Sequence, residues 1–302
     1  MYSIGIDLGG TNIAAGIVND ANEIVRKAST PTNANRPAEE IARDMADLCL
    51  RLIDEAALTK EDIAYIGIAT PGTADSDAGV VVYSNNLPFV DFPIAKLLSE
   101  FTGIARVIID NDANAAALGE QWQGGGRGFS SVLLVTLGTG VGAGIVQDGT
   151  LLSGCHGAAG ELGHICMDPN EPDPCSCGNH GCLEQYCSAT GIVNMAAKAG
   201  LGMLTAKEVF DLAAGGNAAA MAVVDRACDI LGRGLATACC VLDPEVIVLG
   251  GGVSRAGELL RTKIETAFRK YAFHACEDTE IRLATLGNDA GIYGAARLAM
   301  EQ

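Results

Sequence analysis

Leu8 to Asp20 reads LGGTNIAAGIVND, and Leu137 to Asp148 reads LGTGVGAGIVQD, the same pattern with one residue dropped. Each copy follows a short apolar run, Tyr2–Ile6 or Val132–Val135, and each ends in a turn. Two apolar runs joined by a glycine turn predict a β-hairpin. A hairpin pattern that recurs predicts two related domains, each offering one glycine turn. Glycines there let backbone N–H groups approach a phosphate closely. Either hairpin by itself is equally a plain turn. Two of them facing one another would clamp a triphosphate from both sides. The candidate nucleotide-binding residues are therefore Gly9, Gly10, Thr11 and Asn12 in the first copy and Gly138, Thr139 and Gly140 in the second.

Between the copies, apolar and amphipathic stretches alternate. Pro37–Ala57 has helical spacing, Ala64–Ala69 is a strand ending at Thr70-Pro71-Gly72, and Ser84–Pro88 is a polar loop. A helix over Phe92–Phe101 and a strand over Ala105–Ile109 follow. The strand leads into Asp110-Asn111-Asp112-Ala113-Asn114, a polar cluster that caps a helix over Ala113–Gln123. Gly124–Gly128 breaks the chain and suits a crossing between domains. Beyond Glu184 the pattern is mostly helical: Ala189–Ala199, Thr205–Ala213, Ala218–Leu242 and Ala256–Lys270. Glu245–Leu249 and Ile281–Ala284 are strands, and Asn288-Asp289 caps a closing helix, Ala290–Met300. Strand and helix in alternation predict an α/β fold. Gly250-Gly251-Gly252, between a strand and a helix, admits a ligand or another backbone.

Glu161 to Glu184, ELGHICMDPNEPDPCSCGNHGCLE, holds a different chemistry. Cys175, Cys177 and Cys182 sit in a loop rich in Pro, Gly and Asn, with His164 upstream. Three thiolates and one imidazole complete a tetrahedral Zn²⁺ shell, and a closed shell is structural rather than catalytic. Glu161 and Glu184 bracket the set, and carboxylates held by a metal-stapled loop can grip hydroxyl groups.

Two aspartates stand at strand ends. Asp112, beside Asn111, is either the N-cap of its helix or a base placed to take a proton from an alcohol. Asp7 either accepts N–H bonds from its own turn or holds Mg²⁺ through water.

The totals narrow the partners. The chain has 302 residues, enough for two domains, and 49% are hydrophobic, enough for a sizeable core. Asp and Glu number 37 against 20 Lys and Arg, a net charge of −17 that repels nucleic acid and anionic membranes. The 11 Cys are an odd number, and MYSIGIDLGG enters directly as a strand with neither a basic leader nor an apolar segment before it. No apolar run reaches membrane-spanning length. A cytoplasmic protein with reduced thiols is expected.

These motifs together resemble the ROK family of sugar kinases, and within it the bacterial glucokinases. The matching pieces are Asp7–Thr11, Asn111-Asp112-Ala-Asn-Ala, Leu137–Gly142, the Glu161–Glu184 motif, Gly250–Ser254 and Gly287–Gly291, which span nearly the whole chain. The resemblance implies two actin-like, RNase H-type α/β domains flanking a cleft, with a zinc-stapled loop. The expected domains are 1–113, with the C-terminal helix 290–302 packing back on it, and 114–289. It implies ATP and Mg²⁺, a structural Zn²⁺ on His164, Cys175, Cys177 and Cys182, and Asp7 toward Mg²⁺. Asp112 would be the general base toward the sugar 6-hydroxyl. Asn111, Glu161, His164 and Glu184 would bind the other hydroxyls, with Gly72 and Asn86 lining the site. Gly251 and Gly252 would join the glycine hairpins around the nucleotide. His164 would serve twice, one ring nitrogen on zinc and the other on sugar. A homo-oligomer, dimer or tetramer, is implied too.

Two positions depart from the family pattern. The first loop often reads Gly-Gly-Thr-Lys, and Asn12 stands where the lysine would be, which leaves charge neutralisation to Mg²⁺ and backbone dipoles. Pro172 stands where a glycine is common before the first zinc cysteine. The family also has DNA-binding repressors with an N-terminal helix-turn-helix, for which no room precedes the first strand. ATP-dependent phosphorylation of glucose is the expected activity. The alternatives are a kinase for allose, mannose, fructose or an N-acetylhexosamine such as N-acetylmannosamine, a non-catalytic sugar sensor, and a polymerising actin-like ATPase. Asp112 and both hairpins argue against the sensor, and Glu161 and Glu184 against the ATPase.

Overall fold

The computed structural model describes residues 1–300. The chain runs through β1 (Tyr2–Leu8), β2 (Asn12–Val18), β3 (Ile24–Pro31), α1 (Ala38–Glu55), β4 (Ile63–Thr70), β5 (Thr73–Asp75), β6 (Val80–Tyr83), β7 (Val90–Phe92), α2 (Ile94–Thr102), β8 (Val107–Asn111) and α3 (Asp112–Gln123). It continues through β9 (Val132–Leu137), β10 (Val141–Gln147), β11 (Thr150–Leu151), α4 (Glu184–Cys187), α5 (Ala189–Lys198), α6 (Ala206–Ala214) and α7 (Ala218–Leu242). It closes with β12 (Val246–Gly250), α8 (Glu258–Tyr271), β13 (Glu280–Leu283) and α9 (Ala290–Arg297).

Two compact units result. The first is Met1–Gly128 with Thr150–Ala159 and the chain from Leu286 onward; the second is Phe129–Gly149 with Gly160–Thr285. The two five-stranded sheets have the same order, β3-β2-β1-β4-β8 and β11-β10-β9-β12-β13. In each, an antiparallel hairpin, β1–β2 or β9–β10, pairs along its first strand with a parallel neighbour, β4 or β12. The duplication legible in the glycine pattern is therefore a duplication of topology.

Strand alternation explains how the first unit is built. A strand sends successive side chains to opposite faces. On one face of β1 and β4, Ile4, Ile6, Leu8, Ile66 and Ile68 enter a core shared with Met45, Leu48 and Leu52 of α1 and Leu98 of α2. On the other face stand Ser3, Gly5 and Asp7, with Tyr65, Gly67 and Ala69. These small and polar groups admit α9 at close range. Ser3 Oγ donates to the Ala296 carbonyl at 3.3 Å, and the Tyr65 hydroxyl donates to the same oxygen. A Cβ added to Gly5 or Gly67 would strike the α9 backbone. Asp7 ends this row, under the first turn of α9.

The second unit packs β9 and β12, buried along nearly their whole length, with α7 and α8 as its main helical pair. Gly232 of α7 lets the two helices meet at Ala267 and Phe268.

Some expected elements differ. A small sheet, β5-β6-β7, flanks the 84–88 loop on residues for which no element is expected, save Phe92, which ends β7 where a helix is expected to begin. The helix expected over Ala256–Lys270 begins at Glu258 instead, because a 3₁₀ turn over Val253–Ala256 ends at Gly257, whose φ of +67° separates it from α8. Asp289 does not cap α9. A 3₁₀ turn over Gly287–Asp289 leads straight into the helix, and the Asp289 carboxylate pairs with Lys27 Nζ at 2.8 Å instead. Among the described residues, no helix is long and apolar enough to cross a membrane.

Candidate functional site

The expected site residues fall into two groups, one in each unit. In the first unit they gather at the ends of β1, β4 and β8. The turn between β1 and β2 closes with the Gly9 N–H donating to the Asn12 carbonyl at 2.9 Å. Gly10 lies against Asn86, whose Cβ would be 3.5 Å from a Cβ added there. Gly72, at φ +97°, has no room for a side chain, because its Cβ would strike the Tyr83 carbonyl. The 84–88 loop is thereby drawn to both Gly10 and Gly72.

The polar cluster at the start of α3 is divided among three roles. Asn111 is the cap: its Oδ1 accepts from Ala113 N–H at 2.8 Å and Asn114 N–H at 3.4 Å. Its Nδ2 donates to the Gly72 carbonyl at 2.9 Å. Asp110 is buried and accepts from Asn111 N–H at 2.7 Å, Asn114 Nδ2 at 2.9 Å and Ser76 Oγ at 3.3 Å. Burial raises the Asp110 carboxyl, and these donors oppose the rise. Asp112 is the first helical residue and is exposed, so it is not the cap that its position in the sequence allowed.

Asp7 completes this group. Burial pushes its carboxyl up to about 6, and the charge of Asp112 adds to the rise. A Cβ on Gly291 would lie 2.6 Å from Asp7 Cγ, so the α9 backbone closes over the carboxyl. A divalent cation would relieve the repulsion between these two carboxylates.

In the second unit, His164 ends a 3₁₀ turn over Leu162–His164. Gly163 sits so close to the Val141 carbonyl of β10 that no Cβ fits, which seats this turn on the sheet. His164, Cys175, Cys177 and Cys182 each offer one ligand atom, all within 4.8 Å of one another. Cys177 Sγ and Cys182 Sγ are 3.7 Å apart, and Cys175 Sγ is 3.8 Å from His164 Nδ1. A Zn–S distance of about 2.3 Å makes the edge of a ligand tetrahedron about 3.8 Å. The donor set and its spacing therefore fit Zn²⁺. Burial pushes the Cys182 thiol up to about 12 and raises Cys175, so a bound cation is needed to keep these groups as thiolates.

The same histidine faces outward with its other nitrogen. Nε2 lies 3.7 Å from Glu161 Oε2. Glu184, at the start of α4, accepts from Ser176 Oγ at 2.8 Å and from the Cys175 thiol at 3.1 Å. The Cys175 bond needs a thiol proton, whereas the Ser176 bond survives metal binding. A Cβ on Gly140 would lie 2.7 Å from Glu184 Oε2, so the tip of the β9–β10 hairpin touches the carboxylate. The hairpin tip is also held from below: Ala189 N–H donates to the Gly138 carbonyl at 2.8 Å, and Thr190 Oγ1 to the Thr139 carbonyl at 2.8 Å. Gly251, at φ +81°, abuts the Leu137 backbone, which brings the third glycine turn to the second.

Pro172 is flanked by fixed neighbours. Glu171 accepts from the Tyr186 hydroxyl at 2.8 Å, and Asp173 pairs with Lys198 at 2.6 Å. Ser176 and Ser76 are not among the expected site residues, because a single Ser in a polar loop carries no spacing signal.

The chain is similar to known proteins over its whole length. The family model of the ROK family matches residues 3–302. A glucokinase of Halalkalibacterium halodurans is 42% identical over all of this chain and 96% of its own length. A ROK hexokinase structure from Thermus thermophilus is 38% identical, covers 98% of this chain and 97% of its own, and superposes with a TM-score of 0.88. A ROK family glucokinase from Streptomyces griseus, in complex with glucose and AMPPNP, is 31% identical over the whole of both chains, with a TM-score of 0.81.

Proposed function

The chain belongs to the ROK family and has its actin-like fold, and from that premise we propose that it transfers the γ-phosphoryl group of ATP to the 6-hydroxyl of glucose. Glucose 6-phosphate and ADP are the products. Phosphoryl transfer asks little covalent chemistry of a protein; it asks for positioning, charge neutralisation and an acceptor for the hydroxyl proton.

His164 carries this reading. One ring nitrogen points into the Cys₃ cluster and the other toward Glu161. His164 Nδ1 would hold the metal, which would leave the ring proton on Nε2 and fix the ring plane. A loop needed only for stability has no use for an imidazole so directed, with Glu161 and Glu184 beside it.

Each residue then has one task. Asp112 accepts the proton of the 6-hydroxyl as the new P–O bond forms. Glu161 and Glu184 accept hydrogen bonds from other hydroxyls, and His164 Nε2–H donates to one. Asn111 holds the start of α3 and contributes its amide beside Asp112, with Gly72 and Asn86 as walls. Backbone N–H groups of Gly9–Asn12, Gly138–Gly140, Gly251 and Gly252 receive the phosphates. Mg²⁺ bound with ATP would supply the charge neutralisation that Asn12 does not, and Asp7 would hold it through water.

The site lies on a chain of net charge −17, which argues against nucleic acid as a partner. A cytoplasmic dimer or tetramer belongs to the same proposal. The test is ADP release from Mg·ATP across glucose, mannose, allose, fructose and N-acetylmannosamine. A kcat/KM at least tenfold higher on glucose than on the others supports the proposal. Preference for another sugar overturns the substrate, and turnover on none overturns the kinase.

A further inference from the structure

Glu120 lies on α3, eight residues beyond Asp112, and only 1% of it is exposed. Its carboxylate does not face solvent, as a polar residue near a helix end ordinarily would. Oε2 accepts from Gly125 N–H at 2.7 Å, and Oε1 accepts from Leu286 N–H at 2.9 Å. The Glu120 carbonyl accepts from Gly124 N–H and Gly126 N–H, both at 3.0 Å. One residue thus receives four backbone N–H groups from two stretches of chain 160 positions apart.

Those stretches are special. The chain leaves the first unit for good portions of the second after Gly128, and it returns for the last time at Leu286. Glu120 grips the outgoing segment at Gly124–Gly126 and the returning one at its first residue. Gly124 is fitted to this grip: a Cβ there would strike Glu120 Oε2. Charge-assisted bonds of this kind are short and about twice as strong as neutral ones. The helix that ends in this grip begins with Asp112, and eight residues of helix are a stiff rod of about 12 Å.

We propose that Glu120 is a positioning residue for phosphoryl transfer: it fixes both connecting segments to the helix that carries Asp112. The proposal rests on Asp112 being the base of the reaction proposed above. Transfer by positioning is steeply sensitive to small displacements, so loosening this grip acts on turnover before it acts on binding.

The test compares full-length wild type, Glu120→Gln and Gly124→Ala, each with its metal. Glutamine keeps one acceptor and presents an NH₂ to the other N–H, so one segment is released. Gly124→Ala displaces the carboxylate from the other side. The expected result is a fall in kcat of tenfold or more in both variants. KM for glucose and for ATP should stay within about threefold, and the zinc content should be unchanged. ATP hydrolysis in the absence of glucose should rise relative to phosphorylation. A merely structural role would lower the melting temperature and leave kcat per folded chain intact. A kcat within twofold of wild type in both variants overturns the proposal.

Amide exchange on the wild type gives a second measurement that needs neither variant to fold and no turnover. Gly125 and Leu286 N–H should be protected as strongly as the centre of α3. Exchange at the rate of an open loop overturns the grip, whatever sugar the protein phosphorylates. A wild type that phosphorylates no sugar, with these amides protected, would remove the kinase reading and leave the grip standing.

Discussion

The carboxyl of Asp7 is pushed up to about 6 from an ordinary value of 3.8, first by burial and then by the charge on Asp112. A raised aspartate favours the protonated form in the fold. Between about pH 4 and pH 6 the folded chain keeps a proton that the unfolded chain has lost, so stability falls as pH rises through that window. Asp7→Asn removes this penalty. Without ligands at pH 7 the variant should be more stable than wild type by on the order of 2 kcal/mol, with the difference gone at pH 4. Its turnover should fall at least tenfold. Thermal melts at the two pH values check the first claim, and equal melts at pH 7 would contradict it.

Asn111, the cap of α3, also binds Gly72. Asn111→Ala should lower stability by about 1–2 kcal/mol, since a lost N-cap accounts for about 1 and the hold on Gly72 goes with it. Asn111→Asp keeps the acceptor and should recover most of the stability. Glucose affinity should fall in both variants, because both lose the amide. Denaturant titration and glucose titration on the same preparations separate the two effects.

Cys177→Ser should remove zinc and glucose affinity together. Wild type should hold one zinc per chain by elemental analysis, and the variant markedly less. Glucose affinity should fall by about 10–100-fold, the usual consequence of disturbing what orients a ligand side chain. ATP affinity should stay within threefold. A metal-free variant that binds glucose normally would show that the cluster does not orient His164 toward sugar.

Glu184→Gln should weaken glucose binding tenfold or more and leave ATP binding within threefold. Ser176→Ala, which removes the 2.8 Å bond that aims the carboxylate, should weaken glucose binding less, by about threefold to tenfold. Calorimetric titration with each ligand checks both. A larger effect on ATP than on glucose would place Glu184 with the nucleotide.

Much of this could be read from residues alone, for identifiable reasons. The two glycine hairpins repeat one pattern with a single residue dropped, so their duplication is legible without the sheets. The cysteine loop joins ligand spacing to turn residues, which few other arrangements share. The strands β5, β6 and β7 are only three or four residues long, too short to express a period of two. Asp110, Asn111 and Asp112 are chemically alike as caps, and only the backbone at Asn111, extended before the first helical turn, decides which of them caps α3. Gly257, left-handed at φ +67°, sets the start of α8 two residues later than the apolar spacing does. The grip of Glu120 carries no sequence signal, because nothing near it in sequence shows that Leu286 returns to meet it.

That Asp112 takes the hydroxyl proton is tested by measuring ADP release with glucose for wild type and Asp112→Asn side by side, with glucose affinity measured on both. The expected result is turnover by wild type, a loss of about 10²–10⁴-fold in kcat in the variant, and glucose affinity within about threefold. Near-normal turnover by Asp112→Asn, or none by wild type, would contradict it.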